Sequence, residues 1–418
     1  MVMKKKIIVF GLGKMFKSFV QIYDEQRVNI VAVCDNNPNS QSTLAKVYNR
    51  ISPDQISSYE FDYVVITSSY FNEIKSQLIG LGINESRIME YAGIYNRITA
   101  LDEPVMELLK ADMVIAVSEQ KFYAARFRQI ASEQKKTLFL TAKCFSMAVK
   151  NRKIDTLEEV EFRVFSQWGE DGIIQWLINN TALDKKIFVE FGVEDYVESN
   201  TRFLLMNNNW TGLIIDGSEE NVQKIRQWDD YWKYDLRAVS RFITRDNINS
   251  IISENGIEGD IGILSVDIDG NDYWVLDSIA CIRPRILVCE YNNIFGADKK
   301  VTVPYDEKFF RTDKHFSNLY WGCSLGALCD WAERKGFYYM GSNSAGNNAF
   351  FVRKDCISPD MLPAKRNVFV ESRYRESRDG SGKLTYLRGG ERLDAIKEME
   401  LWNLENGRVE CIKDIYNM

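Results

Sequence analysis

Short apolar runs that end in an acid, a glycine or a hydroxyl alternate with amphipathic segments along most of the chain. The first three runs are Lys5–Phe10, Ile30–Cys34 and Phe61–Thr67. Runs of this length with few polar residues are typical of strands buried on both faces of a parallel sheet. The segments between them have the length and period of helices, so the pattern predicts an α/β fold built from doubly wound sheets.

The first strand leads into Gly11-Leu-Gly13, and the second ends in Asp35. In a dinucleotide-binding turn, glycines let the backbone approach the phosphates, and an acid about 20 residues later binds the ribose. Phe16 stands where the third glycine of that pattern is usual. Residues 1–97 are predicted to form a Rossmann-like domain in which Gly11, Gly13 and Asp35 bind a nucleotide. The alternative is a degenerate domain kept for packing or dimerisation, in a possible homo-oligomer.

The segments FGLGKMF, VCDNNP and VVITSSY of this domain resemble the small nucleotide- or nucleotide-sugar-binding domains found beside sugar-modifying enzymes. Residues 98–160 are rich in Glu, Lys, Ala and Leu and predict a helical connector. Alternating strands and helices return over 161–356, which are predicted to form a second, larger domain that closes with an antiparallel hairpin. Residues 357–418 have little strand character and predict an extension with a helix at Leu393–Leu404.

The centre of the larger domain is the stretch Ile187–Gly217. It contains one apolar run that ends at Glu190-Phe-Gly192 and another that ends at Asp216. Two buried strands joined by a helix form a βαβ unit, which binds ligands at the carboxyl ends of its strands. Glu190 and Asp216 are therefore predicted to lie at the rim of one crevice. An acid at the end of the second strand is the usual partner of ribose hydroxyls.

Five segments of residues 165–355 carry a resemblance to the FkbM-like branch of the Class I S-adenosylmethionine-dependent methyltransferases. They are SQWGEDGII, FVEFGVEDYVESNTRFLL, WTGLIIDGS, ILSVDIDGNDYWVL and NAFFVRKD. The resemblance covers somewhat under half of the chain and implies S-adenosylmethionine as the cofactor. The positions that it implies for cofactor binding are Glu190, Gly192, Asp195, Asp216 for the ribose, and Asp246 near the adenine. Glu194 and Tyr196 replace small residues that are common in the family's loop.

An acid-rich turn, Asp267-Ile-Asp269-Gly-Asn-Asp272, follows a later strand, and the next strand ends with Glu290 and Asn292. Because residues i and i+2 of a strand share a face, Asp267 and Asp269 can converge on one cleft with Glu290 and Asn292. Such oxygen ligands suit Mg²⁺ or Mn²⁺, which would orient two sugar hydroxyls. The alternative is a turn that only caps the next helix.

Methyl transfer to a hydroxyl needs a group that removes the acceptor's proton. His315 is the only histidine, and the ordinary pKa of imidazole suits a general base. Asp267 and Asp269 are the alternative bases, and a lone histidine can equally be structural.

Composition excludes several classes of protein. A formal charge of -6 argues against nucleic acid as the main partner. The eight cysteines contain no Cys-x-x-Cys pair, which favours reduced thiols over a disulfide framework or a zinc site. No apolar run approaches the roughly 18 residues that cross a bilayer. The sequence therefore predicts a cytoplasmic protein with no transmembrane segment.

Three hypotheses for function remain at this point. The first is a methyltransferase that acts on a sugar hydroxyl of a nucleotide-sugar or of a surface polysaccharide precursor. The second is an NAD(P)-dependent nucleotide-sugar reductase or epimerase component, although no Tyr-x-x-x-Lys pair accompanies the amino-terminal domain. The third is a non-catalytic carbohydrate-binding or assembly protein on a methyltransferase fold, for which the bulky residues Glu194 and Tyr196 argue.

Overall fold

The computed structural model describes residues 4–37, 47–91, 108–109 and 111–418. The chain divides into two compact units, Met1–Lys135 and Lys136–Met418. The predicted boundary at residue 97 lies outside the described residues. In the described part of the chain, no helix is long and apolar enough to cross a membrane.

The strands are β1 Lys5–Phe10, β2 Val28–Cys34, β3 Arg50–Ile51, β4 Tyr63–Ile66, β5 Ile88–Glu90, β6 Ile187–Phe191, β7 Thr211–Asp216, β8 Leu236–Ser240, β9 Gly259–Val266, β10 Ile282–Glu290, β11 Val301–Thr302, β12 Phe337–Ser342, β13 Asn348–Arg353, β14 Glu400–Asn403 and β15 Arg408–Cys411. The α-helices are α1 Lys14–Ile22, α2 Phe71–Gly80, α3 Ala111–Val149, α4 Glu170–Asn180, α5 Arg202–Asn208, α6 Glu219–Arg226, α7 Ile248–Glu254, α8 Asp272–Ser278, α9 Arg311–Lys314, α10 Leu325–Arg334, α11 Gly390–Asp394 and α12 Ile412–Tyr416.

In the described residues of the first unit, five parallel strands form a sheet in the order β3-β2-β1-β4-β5. Strand β1 is buried on both faces because its alternate residues enter two different cores. Ile7 and Val9 pack with residues of α1, while Ile8 and Phe10 pack with residues of α2. The apolar run of β1 therefore produces the doubly wound arrangement that the sequence predicts.

The larger sheet of the second unit has the described strand order β12-β13-β10-β9-β6-β7-β8. Strand β13 is antiparallel to both of its neighbours, and the other pairings are parallel. Phe188 and Ile214 pack on the side of α4, α5 and α6, whereas Val189 and Ile215 pack on the side of α7, α8 and α10. The predicted α/β class, with its closing antiparallel hairpin, is confirmed.

The carboxyl-terminal segment differs from its prediction. The helix expected at Leu393–Leu404 is wrong, because α11 ends at Asp394 and β14 begins at Glu400. Strand β14 lies between β11 and β15 in a small sheet. Leu401 is fully buried there in one core with residues of the segment 295–321. Tertiary packing has overridden the helical propensity of this stretch.

Candidate active site

A cavity of about 830 Å³ opens at the carboxyl ends of the central strands of the larger sheet. Residues at the ends of five neighbouring strands line it, namely Gly192, Asp216, Arg241, Asp267 and Glu290. This is where parallel α/β sheets bind their ligands, since the connecting loops diverge there. The volume lies within the range of roughly 300–1,000 Å³ that is typical of small-molecule sites.

Gly192 forms the floor of the cavity just after β6. Its φ of +69° lies in the left-handed region, and its N–H donates to the carbonyl of Ile215 at 3.0 Å. A methyl group on Gly192 would lie 1.7 Å from the carbonyl oxygen of Asp267. Only glycine fits both the conformation and the space, so the turn keeps the backbone of β6 close to that of β9.

Gly192→Ala should therefore lower the free energy of unfolding for two reasons, the left-handed backbone conformation and the clash of the new methyl group with Asp267. Gly259 is the matched control, because its φ is +71° and no described atom lies within 4 Å of a methyl group placed on it. Left-handed backbone at alanine costs roughly 1–2 kcal/mol. We expect Gly192→Ala to lose at least about 1 kcal/mol more free energy of unfolding than Gly259→Ala in urea titrations, because of the added clash. Equal losses would contradict the close approach.

Asp216 stands at the end of β7 and lines the cavity. Its Oδ2 accepts a hydrogen bond from the N–H of Glu194 at 2.9 Å, and its Oδ1 accepts one from the N–H of Ser218 at 2.8 Å. Asn221 approaches Oδ1 at 3.3 Å. Each carboxylate oxygen has two acceptor positions, so Oδ2 retains the capacity to accept a ligand hydroxyl.

Glu190 also lines the cavity, but its carboxylate is engaged by protein groups. Oε2 accepts from Ser199 Oγ at 2.7 Å and from the N–H and the hydroxyl of Thr201, and Oε1 accepts from the N–H of Asn200 at 2.8 Å. Burial raises the pKa of Glu190. The residue lies at the predicted rim, and its hydrogen bonds hold the 199–201 loop beside the cavity.

Asp195 and Asp246 lie outside the cavity lining. Asp195 accepts a hydrogen bond from the N–H of Val197, and the backbone of its neighbour Glu194 is what reaches Asp216. Asp246 is exposed beside Arg245, and the N-cap of α7 is Asn247. Of the residues that follow β8, Arg241, Phe242 and Ile243 line the cavity.

His315 also lies outside the cavity lining. It is half-buried, its Nδ1 lies 2.7 Å from Ser317 Oγ, and its ring packs on Phe316. Burial lowers its pKa. Its contacts hold the loop after α9, which is the structural role left open by the sequence.

Asp267 and Glu290 form a pair of carboxyl groups in the cavity wall. Burial, followed by the charges of Asp269 and Asp272, raises the pKa of Asp267 well above its ordinary value. Burial, followed by the charge of Asp267, does the same for the pKa of Glu290. Two such groups hold a proton at a pH where separate carboxyl groups would be ionised.

Asp269, unlike Asp267, is paired with a cationic side chain. Its φ is +54°, its side chain is largely exposed, and its Oδ1 pairs with Arg311 Nη1 at 2.9 Å. Asp272 accepts hydrogen bonds from the N–H groups of Ile268 and Gly270, which closes the acid-rich turn in the way that the capping alternative describes. Of the turn's acids, Asp267 is therefore the one facing the cavity without a cationic partner among the described residues.

The predicted metal site does not fit these positions. Asn292 accepts from the N–H of Ile294 and donates to the carbonyls of Leu319 and Trp321, so its amide is already held by protein groups. Asp269 is neutralised by Arg311. Within the described residues, no group of three or more His, Cys, Asp or Glu side chains has the arrangement of a metal site.

The far end of the cavity is built from residues that the sequence analysis did not assign. The lining residues contributed by 309–321 and by the carboxyl-terminal segment include Phe309, Phe310, Arg311, Trp321, Tyr374, Glu376 and Arg392. Phe310 also stacks on Phe242 with ring centroids 5.7 Å apart. These residues do not follow apolar strand runs, and their shared location depends on the packing of β14 against β11.

In the first unit, Asp35 accepts a hydrogen bond from the backbone of the glycine turn, as Asp216 does from the loop after β6. Asp35 Oδ2 accepts from the N–H of Leu12 at 2.7 Å, and Oδ1 accepts from the N–H of Asn37 at 2.8 Å. Gly11 has a φ of +98°, and Gly13 is the N-cap of α1. Phe16 is fully buried in the core between α1 and the sheet, which explains why an aromatic residue replaces the third glycine.

Residues 3–89 match a family model described as C2185-like, N-terminal. A search of proteins with curated functions finds no match to the sequence.

Solved structures similar to the chain include three that contain S-adenosylhomocysteine. TrmK from M. capricolum is 8% identical over 42% of this chain and 66% of its own, with a TM-score of 0.26. The match thus covers just under two thirds of the length of TrmK. The amino-terminal domain of EvdMO1 is 9% identical over 54% of this chain and 94% of its own, with a TM-score of 0.30. An O-methyltransferase from Bacillus cereus is 10% identical over 53% of this chain and 91% of its own, with a TM-score of 0.28. Because these sequence identities and TM-scores are low, the fold assignment rests on the strand order of the two sheets.

Proposed function

We propose that this chain is an S-adenosylmethionine-dependent methyltransferase that acts on a sugar hydroxyl, in a nucleotide-sugar or in a surface polysaccharide precursor. The observation that carries the proposal is one cavity with the Gly192 turn and Asp216 on one side and the Asp267–Glu290 carboxyl pair on the other. The α/β fold agrees with the resemblance to Class I methyltransferases.

The residues of the cavity fit this cofactor. The Gly192 turn brings the backbones of β6 and β9 close together at the cavity wall, and Asp216 retains an acceptor position for a ribose hydroxyl. Phe242 and Ile243 supply an apolar wall of the kind that an adenine ring contacts. When bound, the cofactor supplies an electrophilic methyl group on a sulfonium.

Asp267 is the proposed general base. In its ionised form it accepts the proton of the acceptor hydroxyl, while Glu290 beside it holds the proton of the pair. Asp269 is less suited to this role, because its carboxylate is already paired with Arg311. The remaining lining residues position the sugar and exclude water.

The amino-terminal unit is proposed to bind a nucleotide or a nucleotide-sugar. The N-terminus of α1, whose N-cap is Gly13, presents backbone N–H groups for a phosphate, and Asp35 lies at the end of β2. The parallel order β3-β2-β1-β4-β5 is the Rossmann order that supports such a role.

Turnover with labelled cofactor tests the proposal. The full chain would be incubated with methyl-labelled S-adenosylmethionine and a panel of nucleoside diphosphate sugars, free sugars and oligosaccharides. We expect labelled methyl groups on a sugar oxygen, with formation of S-adenosylhomocysteine. Transfer to a nitrogen or carbon acceptor only, or no transfer to any member of the panel, would contradict the sugar-hydroxyl proposal.

The pH dependence of that reaction should reveal the carboxyl pair. Because the base must be ionised and its pKa is raised, the rate should rise as the pH rises through that pKa. Glu290 lowers the pKa of Asp267 through a side-chain hydrogen bond, so Glu290→Leu should raise that pKa, whereas Glu290→Gln keeps an N–H donor. We expect the acid limb of the kcat profile to move to higher pH in Glu290→Leu and to stay closer to that of the wild type in Glu290→Gln. A limb that moves to lower pH in Glu290→Leu would show that Glu290 does not stabilise the ionised form of Asp267.

A further inference from the structure

Arg392 has no ion-pair partner among the described residues and lies at the far end of the cavity. It lies in the short helix α11 and lines the cavity. Its Nε is buried and has no hydrogen-bond partner among the described residues. Burial, followed by the charge of Arg311, lowers its pKa, and Arg375 contributes in the same direction. A desolvated guanidinium with two cationic neighbours is costly, unless an anion occupies the space beside it.

Arg311 is the second cation of this region and is held rigidly. Its Nε donates to the carbonyl of Asn318 at 2.9 Å, and its guanidinium stacks on Trp321 at 4.8 Å from the ring centroid. Nη1 is paired with Asp269, whereas Nη2 is buried and has no hydrogen bond within the described part of the chain. Nη2 of Arg311 therefore carries N–H donors that no described residue uses.

Glu376 is the second acid near Arg311, after Asp269. It lies 3.8 Å from Arg311 Nη2, which is within ion-pair distance and beyond hydrogen-bonding distance. Its carboxylate is already engaged by Arg378, by Asn318 and by the hydroxyl of Tyr374.

We propose that Arg392 and Arg311 bind a phosphoryl group of the acceptor, so that the substrate is a phosphorylated sugar such as a nucleoside diphosphate sugar. This inference rests on the proposed function and narrows its substrate class. Guanidinium N–H groups form charge-assisted hydrogen bonds with phosphoryl oxygens, which explains two arginines with N–H donors that no described residue uses. The charges of Arg311 and Glu290 affect each other, so the phosphoryl site adjoins the carboxyl pair where the sugar hydroxyl reacts.

Titration calorimetry with inorganic pyrophosphate tests this site in the full chain, with and without S-adenosylhomocysteine. Arg392→Gln should weaken pyrophosphate binding on the order of tenfold or more, because a charge-assisted pair is lost. Arg392→Lys keeps the charge without the fork and should give an intermediate loss. Arg373→Gln removes the same charge from the same segment outside the cavity, where Arg373 pairs with Glu158, and should leave the affinity within about twofold.

Equal affinity in wild type and Arg392→Gln would place pyrophosphate elsewhere and overturn the proposal, as would equal losses in Arg392→Gln and Arg373→Gln. Arg392-dependent binding of glucuronate without binding of pyrophosphate would overturn the choice of phosphate over carboxylate. Binding of S-adenosylhomocysteine is measured on the same samples. If that ligand fails to bind while pyrophosphate binding depends on Arg392, the methyltransferase proposal fails and the anion site stands.

Discussion

Asp267→Asn is expected to lower kcat for methyl transfer about 10²–10⁴-fold, the range that a general base contributes. The asparagine has nearly the same size and cannot accept the hydroxyl proton. Since Asp267 faces the cavity opposite Asp216, the affinity for S-adenosylhomocysteine should stay within about twofold. Single-turnover rates with the acceptor identified in the panel, together with calorimetry, separate these two effects.

Asp269→Asn is the matched control for that variant. It removes the same charge from the same turn, at a residue whose carboxylate is already paired with Arg311. Its loss of kcat should be clearly smaller than that of Asp267→Asn. Equal losses would mean that the turn's total charge, rather than a base at Asp267, is what the reaction needs.

Asp216→Asn is expected to weaken binding of S-adenosylhomocysteine by about 10- to 150-fold. One hydrogen bond to a charged group is worth on the order of 1.5–3 kcal/mol, and the amide offers one acceptor oxygen where the carboxylate offers two. The amide must also face either Glu194 or Ser218 with its N–H₂ group, which disturbs the loop that shapes the cavity. Thermal unfolding would show whether the variant remains folded.

Asp246→Asn serves as the control, because this acid was assigned to the same ligand from the sequence and is exposed outside the cavity. Its affinity should match that of the wild type. A loss at Asp246 with none at Asp216 would move the cofactor site away from the end of β7.

The sequence was sufficient to predict the fold class, for a physical reason. Strands such as β1 and β6 are buried on both faces, so their continuous apolar runs are visible without knowledge of their partners. The end of each run also marks the carboxyl edge of the sheet, which is why Gly192, Asp216 and Asp267 were found. A helix at Leu393–Leu404 was expected because the burial of Leu401 against a distant segment leaves no local trace.

Side-chain roles at the site were harder to predict. The sequence cannot show that Ser199 and Thr201 return to Glu190 and use its carboxylate, nor that Arg311 neutralises Asp269. Arg392 is about 200 residues from the Gly192 turn in the chain, and it reaches the cavity only because the carboxyl-terminal segment packs on the 295–321 region. Long-range packing of this kind leaves no periodic pattern in the amino-acid sequence.

Calorimetric titration of the full wild-type chain with S-adenosylhomocysteine, and separately with NADH, tests the central claim most directly. We predict saturable binding of S-adenosylhomocysteine at one site per chain, in the cavity beside Asp216. Saturable binding of NADH with none of S-adenosylhomocysteine would contradict it.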